Sequence, residues 1–326
     1  MHEAMGGYFE MELRRGHQPF PDALAFNSAR SGFQALLRSR DIHRVFMPHF
    51  LCSVMPQAAR SAGVEVVEYG LNDQLELVIL PQLGENDALL YVDYFGLKTH
   101  YLRNVLAEHF YAHLIVDNSQ ALFAAPLDGV PTLYSPRKFV GVPDGGWLVN
   151  GPAGIEQPEP GAFVGRFDAL LGRLGDAPEA HYADFQKTEQ ALGLEGISGM
   201  SRVTARLLDS IDYDSVKTRR QSNFNRLHDA LSSINRFTPA FGEHAGALCY
   251  PVLLENAAGA SAVREALLKQ RVFVPCYWRE VLENPETPPL ERDMTERLLA
   301  LPIDQRCGPL QMDRLASIIH QTLRTA

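Results

Sequence analysis

Lysine is scarce in this 326-residue sequence: only Lys98, Lys138, Lys187, Lys217 and Lys269 stand among thirty basic side chains. Cysteine is scarcer still, and Cys52, Cys249, Cys276 and Cys307 form no Cys-x-x-Cys pair, so reduced thiols in a cytoplasmic protein are expected. The start, Met-His-Glu-Ala-Met-Gly-Gly, has neither the basic end nor the apolar core of a signal peptide. No apolar run reaches the roughly 18 residues a membrane span requires. Gly-x-Gly-x-x-Gly and Walker-type loops are missing, which removes the usual nicotinamide and nucleoside-triphosphate readings. A net charge of −9 without any basic cluster argues against a nucleic-acid partner. His109 and His113 sit four apart but lack a third ligand nearby, so no metal is expected. Internal repeats and low-complexity tracts are absent.

What remains is an ordinary globular composition, 46% hydrophobic and 21% charged, in a chain long enough for a large core and two domains. Strand-like runs at Arg44–Pro48, Val64–Tyr69, Asp87–Tyr94 and Ala112–Val116 alternate with helical patterns at Met55–Ala62 and Tyr101–Phe110. Such βαβ succession predicts parallel neighbours. After a Pro/Gly-rich loop at 151–160, helices are expected at Ser201–Leu208 and Ser215–Leu231. A smaller α+β pattern follows: a strand at Leu248–Leu254, a helix at Ser261–Gln270, a strand at Val272–Pro275 and a final helix at Met312–Leu323.

The run His-Leu-Ile-Val-Asp-Asn-Ser-Gln (113–120) delivers Asp117 to the end of a buried strand, the edge where ligands bind in open α/β sheets. A second short run, Leu-Tyr-Ser-Pro-Arg-Lys (133–138), carries Lys138 toward the turn Asp-Gly-Gly (144–146); no other lysine is so placed. A carboxylate and a lysine at strand ends suit pyridoxal phosphate, the lysine capturing its aldehyde and the acid holding its pyridinium proton. The same two residues equally suit a helix cap and a solvated turn. Ser28 reads as the N-cap of a helix opening Ala29-Arg30-Ser31-Gly32, whose free N–H groups could hold a phosphate or simply be capped.

Asp-Asn-Ser-Gln-Ala, Ser-Pro-Arg-Lys and Asp-Gly-Gly together resemble the central motif of the DegT/StrS sugar aminotransferases, a group of fold-type-I pyridoxal phosphate enzymes. The resemblance runs from about Gly6 to the C-terminus and is weakest between 150 and 200. It implies a large α/β/α domain with a mostly parallel seven-stranded sheet over 1–212 and a small α+β domain over 213–326. It assigns Lys138 and Asp117 as catalytic and cofactor-binding, and Gln120 to the cofactor's ring oxygen. Phe50 would stack on the ring, while Ser28, Ala29, Arg30 and Ser135 would hold the phosphate. The family's Thr is absent at Ala29-Arg30, and its Ser lies five rather than three residues before the lysine. Arg219-Arg220-Gln221-Ser222-Asn223-Phe224 resembles the helix that reaches the neighbouring subunit's phosphate, which implies a homodimer with shared active sites completed by Asn223.

The implied reaction moves an amino group from a donor, glutamate, to a keto group of a nucleotide-linked sugar. Relatives that dehydrate sugars carry His where Lys138 stands, so the lysine favours amino transfer. An enzyme acting on an amino acid, and a non-catalytic relative serving as a binding subunit, are the alternatives.

Overall fold

The computed structural model describes residues 5–237 and 244–325. Its centre is a seven-stranded sheet in the order β1-β7-β6-β5-β4-β2-β3. The strands are β1 (Leu24–Phe26), β2 (Arg44–Pro48), β3 (Glu65–Tyr69), β4 (Asp87–Val92), β5 (Leu114–Asn118), β6 (Thr132–Tyr134) and β7 (Gly146–Val149). Strands β2 to β6 pair in parallel, and only β7 runs against its neighbours β6 and β1. All residues of β4 and β5 are buried, as expected of central parallel strands covered on both faces.

One consequence positions the site. Strands β1, β2, β4, β5 and β6 all end at the same edge, and β7 begins there. The helices between them are α1 (Ala29–Ser39), α2 (Val54–Ser61), and α3 (Thr99–Tyr101) joined through a π-helical turn (Leu102–Leu106) to α4 (Ala107–Phe110). Helix α1 starts where it does because Ser28, in extended conformation, accepts the Ser31 N–H on its hydroxyl. Its Phe33, Leu36 and Leu37 then bury one face at three- and four-residue spacing.

After β7 come α5 (Asp168–Gly175), α6 (Tyr182–Leu194), α7 (Arg202–Asp209) and α8 (Tyr213–Leu231). Asp212 caps α8 by accepting the Ser215 N–H. Beyond it lie β8 (Tyr250–Leu253), α9 (Ala257–Lys269), α10 (Pro289–Arg297), β9 (Leu298–Leu301) and α11 (Pro309–Thr325). Strands β8 and β9 form an antiparallel pair, with Tyr250 opposite Leu301.

The expected strand at 272–275 is absent: those residues have no regular structure, and the partner of β8 is β9 instead. The Leu-Leu-Ala-Leu run of β9 follows α10 without a turn residue, so its apolar period reads as a continuation of the helix. Among the described residues no helix is long and apolar enough to cross a membrane. The two expected histidines serve backbone carbonyls, His109 on Val105 and His113 on Asp87.

Candidate active site

Asp117 lies on β5 between Val92 of β4 and Leu133 of β6, and is only 5% exposed. Its carbonyl accepts the Asp93 N–H at 3.1 Å, and its Oδ1 accepts the Ser119 N–H at 2.8 Å. The turn that receives this second bond keeps the carboxylate fixed at the strand end. Three residues on, Gln120 is buried, with its Oε1 accepting the N–H of Phe95 at 2.8 Å. Phe95 has φ of +58° in the turn after β4, and a second bond, Leu248 N–H to its carbonyl at 2.9 Å, helps hold that unfavourable backbone. Gln120 thus ties the β5 end to the β4 end through its amide oxygen, and its amide NH2 remains the group able to donate.

Strand β6 leads through Ser135 into a 3-10 turn (Pro136–Lys138), closed by the Lys138 N–H on the Ser135 carbonyl at 3.4 Å. Ser135 is buried, and its hydroxyl does not cap the turn. Lys138 itself is exposed at this edge. Three of the other lysines are paired, Lys98 with Glu76, Lys187 with Asp184 and Lys269 with Glu265; Lys138 forms no salt bridge among the described residues.

The Asp-Gly-Gly turn then docks on the start of α1. The Gly145 N–H donates to the Asn27 carbonyl at 2.7 Å, with Gly145 at φ +116°. At Gly146 an added Cβ would lie 2.2 Å from the Ala29 nitrogen, so only glycine permits this approach. Asp144, fully buried, accepts the Ser201 N–H at 3.1 Å and faces Arg166 at 3.4 Å. The structure therefore gathers Ser28, Ala29, Asp117, Gln120, Ser135 and Lys138 along one edge.

Two expected residues are not part of it. Phe50 is fully buried, with the Tyr94 ring stacked at 5.8 Å and the Trp278 ring edge-on at 4.4 Å, so no ring face is open to a ligand. It is core, because Trp278 comes back over the end of β2 from the C-terminal part of the chain. Asn223, 1% exposed, donates its amide to the carbonyls of Ile303 (3.1 Å), Asp304 (3.3 Å) and Cys307 (3.1 Å) of its own chain. Its two N–H groups are committed there, within its own chain. The Arg30 side chain has a backbone partner: its Nη2 donates to the Leu192 carbonyl at 2.9 Å.

Sequence reasoning missed Arg137, Arg166, Asp144, Glu189 and Arg220. Arg137 donates to the Pro143 carbonyl at 3.2 Å and pairs with Glu189 of α6. Burial lowers its pKa to about 10. Its place directly before Lys138 was the one available signal.

No protein-family model matches the sequence, and no curated protein sequence does either. Solved structures do match. PseC of Helicobacter pylori, an aminotransferase involved in the biosynthesis of pseudoaminic acid, aligns over 93% of this chain and 87% of its own, with TM-score 0.62 and 14% identity. DesV of S. venezuelae aligns over 92% and 84%, with TM-score 0.66 and 17% identity. The PLP form of Spr1654 from Streptococcus pneumoniae, a sugar aminotransferase by its description, aligns over 93% and 88%, with TM-score 0.61 and 14% identity. The chain shares the fold of these structures. DegT/DnrJ/EryC1/StrS aminotransferases are among the structures that share it, so the fold-type-I architecture implied by the motifs is the observed one.

Proposed function

We propose that this chain is a pyridoxal phosphate-dependent aminotransferase that carries an amino group from glutamate to a keto group of a nucleotide-linked sugar. The observation that carries the reading is the exposed Lys138, without a salt bridge among the described residues, in the turn after β6, and the buried Asp117 on the neighbouring β5, both at the carboxyl edge of a fold shared with sugar aminotransferases. The residues fit the cofactor. A lysine amine is free to react, a carboxylate with one oxygen bound by Ser119 leaves the other for a ring nitrogen, and Gln120 keeps a donor for a ring oxygen.

Bound pyridoxal phosphate supplies an aldehyde for the amine and a ring that accepts an electron pair from the donor's α-carbon. Lys138 Nζ would hold the cofactor through its aldehyde carbon and, when the donor's amine takes that place, would carry the proton from the donor's α-carbon as general base and acid. Asp117 would keep a bound ring's nitrogen protonated, because a nearby negative charge favours the charged form. The Gly145-Gly146 turn brings the start of α1, a helix end that favours an anion, against the same edge.

We also propose a division into a large domain (1–212) and a small one (213–326), a cytoplasmic location and a homodimer. Met5, Tyr8, Phe9 and Met11 are 98%, 99%, 92% and 68% exposed, apolar surface that a second copy would cover. Light scattering checks the dimer. The function is tested by the absorbance of the purified protein with pyridoxal phosphate. A band near the visible edge that borohydride abolishes and glutamate shifts supports it, whereas no band at saturating cofactor refutes it.

A further inference from the structure

Three arginines surround the start of α1. Arg30 is its second residue, Arg137 precedes Lys138, and Arg166 lies just before α5. Their charges act on one another: those of Arg30 and Arg166 add to burial in lowering the Arg137 pKa, and Asp144 opposes them. Besides Asp144, the anions that balance this cluster come from α6 and the residue after it. Glu189 pairs with Arg137, and Glu195 pairs with Arg166 and accepts from Asn27 Nδ2 at 3.1 Å.

The segment that supplies them is weakly rooted. Across α5 and α6 only Ala169 and Leu192 are buried, while Leu171, Leu174 and Leu194 are 55%, 85% and 90% exposed. Its hold on the body near α1 is polar: Arg137–Glu189, Arg30 on the Leu192 carbonyl, and the Glu195 contacts. A segment with few buried apolar contacts opens at low cost. Meanwhile two other candidate phosphate ligands already have partners: the Ser28 hydroxyl meets the Ser31 hydroxyl at 3.0 Å, and the Asn223 amide donates to three carbonyls of its own chain.

We propose that Arg137 and Arg30 form a phosphate-binding site that α6 fills with its own anion, the Glu189 carboxylate, until a phosphate displaces it. The inference rests on the aminotransferase reading for its ligand, the phosphate monoester of pyridoxal phosphate. A phosphate carries about −1.5 to −2 charge and three acceptor oxygens. It can therefore engage both guanidinium groups, where one carboxylate from α6 engages only Arg137. Displacing Glu189 removes the contact nearest the middle of α6 and loosens that helix from the edge.

The test titrates the full-length protein with pyridoxal phosphate and, separately, with pyridoxal, which lacks the phosphate, reading the borohydride-sensitive band. Glu189→Gln is expected to tighten pyridoxal phosphate binding about tenfold, and Arg137→Gln to weaken it by at least as much, the size of losing or freeing one charged hydrogen bond. Arg30→Gln is expected to weaken it too, and pyridoxal affinity should stay unchanged in all three. Equal effects on both compounds, or no effect of Glu189→Gln, overturn the proposal. In parallel, inorganic phosphate should raise amide exchange across 182–194 in the wild-type chain, and chloride at matched ionic strength should not. If no band forms with either compound, the cofactor reading falls, and the exchange response to inorganic phosphate alone decides the site: a rise supports it, no rise overturns it.

Discussion

The guanidinium of Arg220 lies 4.6 Å over the ring of Phe139 and donates to the Phe139 carbonyl, clamping the residue next to Lys138 to helix α8. The same buried group donates to the carbonyls of Ala247 at 3.3 Å and Leu248 at 3.1 Å, and Gln305 adds a 2.8 Å bond to the Phe139 carbonyl. Burial lowers the Arg220 pKa to about 10, which leaves it charged at neutral pH. Arg220→Leu removes the guanidinium donor from the Ala247 and Leu248 carbonyls, while Phe139 keeps its bond from Gln305. We expect a loss of about 2–4 kcal/mol in urea unfolding, the range for breaking a buried network. A loss within 0.5 kcal/mol, the usual size for a surface change, would show that the clamp is dispensable.

Lys138→Ala should abolish the borohydride-sensitive band and the glutamate half-reaction together while leaving the unfolding midpoint near wild type, since the side chain is exposed and unpaired. Lys138→Arg should fail as completely, because a guanidinium stays protonated and is no nucleophile. Turnover by either variant at the wild-type rate would remove Lys138 from the chemistry.

How much of this was legible in the sequence depends on how local each signal is. Asp117, Ser135 and Lys138 could be placed because an apolar run ending in a polar residue marks a strand end without reference to anything distant. Ser28 announced α1 for the same reason, since a cap acts within three residues. Phe50 failed because an aromatic at a strand end gives no sign of what comes back over it, here Trp278 from more than two hundred residues away. Asn223 failed similarly: its acceptors lie about eighty residues downstream. Strand β9 was hidden by running straight out of α10. Glu189, the partner of Arg137, lies in the stretch where the family resemblance is weakest, and a charge on a helix of mixed polarity reads simply as surface.

Asp117→Asn keeps the shape of the carboxylate and its acceptor for the Ser119 N–H. It removes the charge that would favour a protonated ring nitrogen. We expect cofactor still to bind and the half-reaction with glutamate to slow by about a hundredfold or more, the scale of losing one positioned acid–base partner. Stopped-flow absorbance reads it. An unchanged rate would make Asp117 a turn-capping residue only.

Asp93 gives a pH dependence whose sign can be worked out. It is fully buried at the end of β4, and burial raises its pKa from 3.8 to about 6, partly offset by the Thr99 hydroxyl and the Lys98 N–H. Between those values the folded chain holds a proton that the unfolded chain has released. Its contribution is therefore present below pH 3.8 and is lost as pH rises through about 6, up to about 3 kcal/mol. His244 acts in the opposite sense. Burial lowers its pKa from 6.5 to about 4, so its contribution is present above pH 6.5 and lost as pH falls toward 4. Asp93→Asn leaves the histidine alone, so the variant's urea midpoint should climb with pH across this window more steeply than the wild type's. Parallel curves would mean that Asp93 does not titrate there.

Asn223 separates two pictures of the assembled protein. If its amide reached a neighbouring subunit's phosphate, mixing inactive Lys138→Ala chains with inactive Asn223→Asp chains would restore sites carrying neither lesion, as a two-fold interface requires. The geometry predicts otherwise. The amide bridges three carbonyls between β9 and α11, and a carboxylate there would face Ile303, Asp304 and Cys307 oxygens with no proton to offer. An unpaired buried charge among acceptors costs about 3–5 kcal/mol. Asn223→Asp should therefore be strongly destabilised in urea, and subunit exchange with Lys138→Ala should restore no activity. Recovery of activity on mixing, with the Asn223→Asp unfolding midpoint at the wild-type value, would return Asn223 to a shared site.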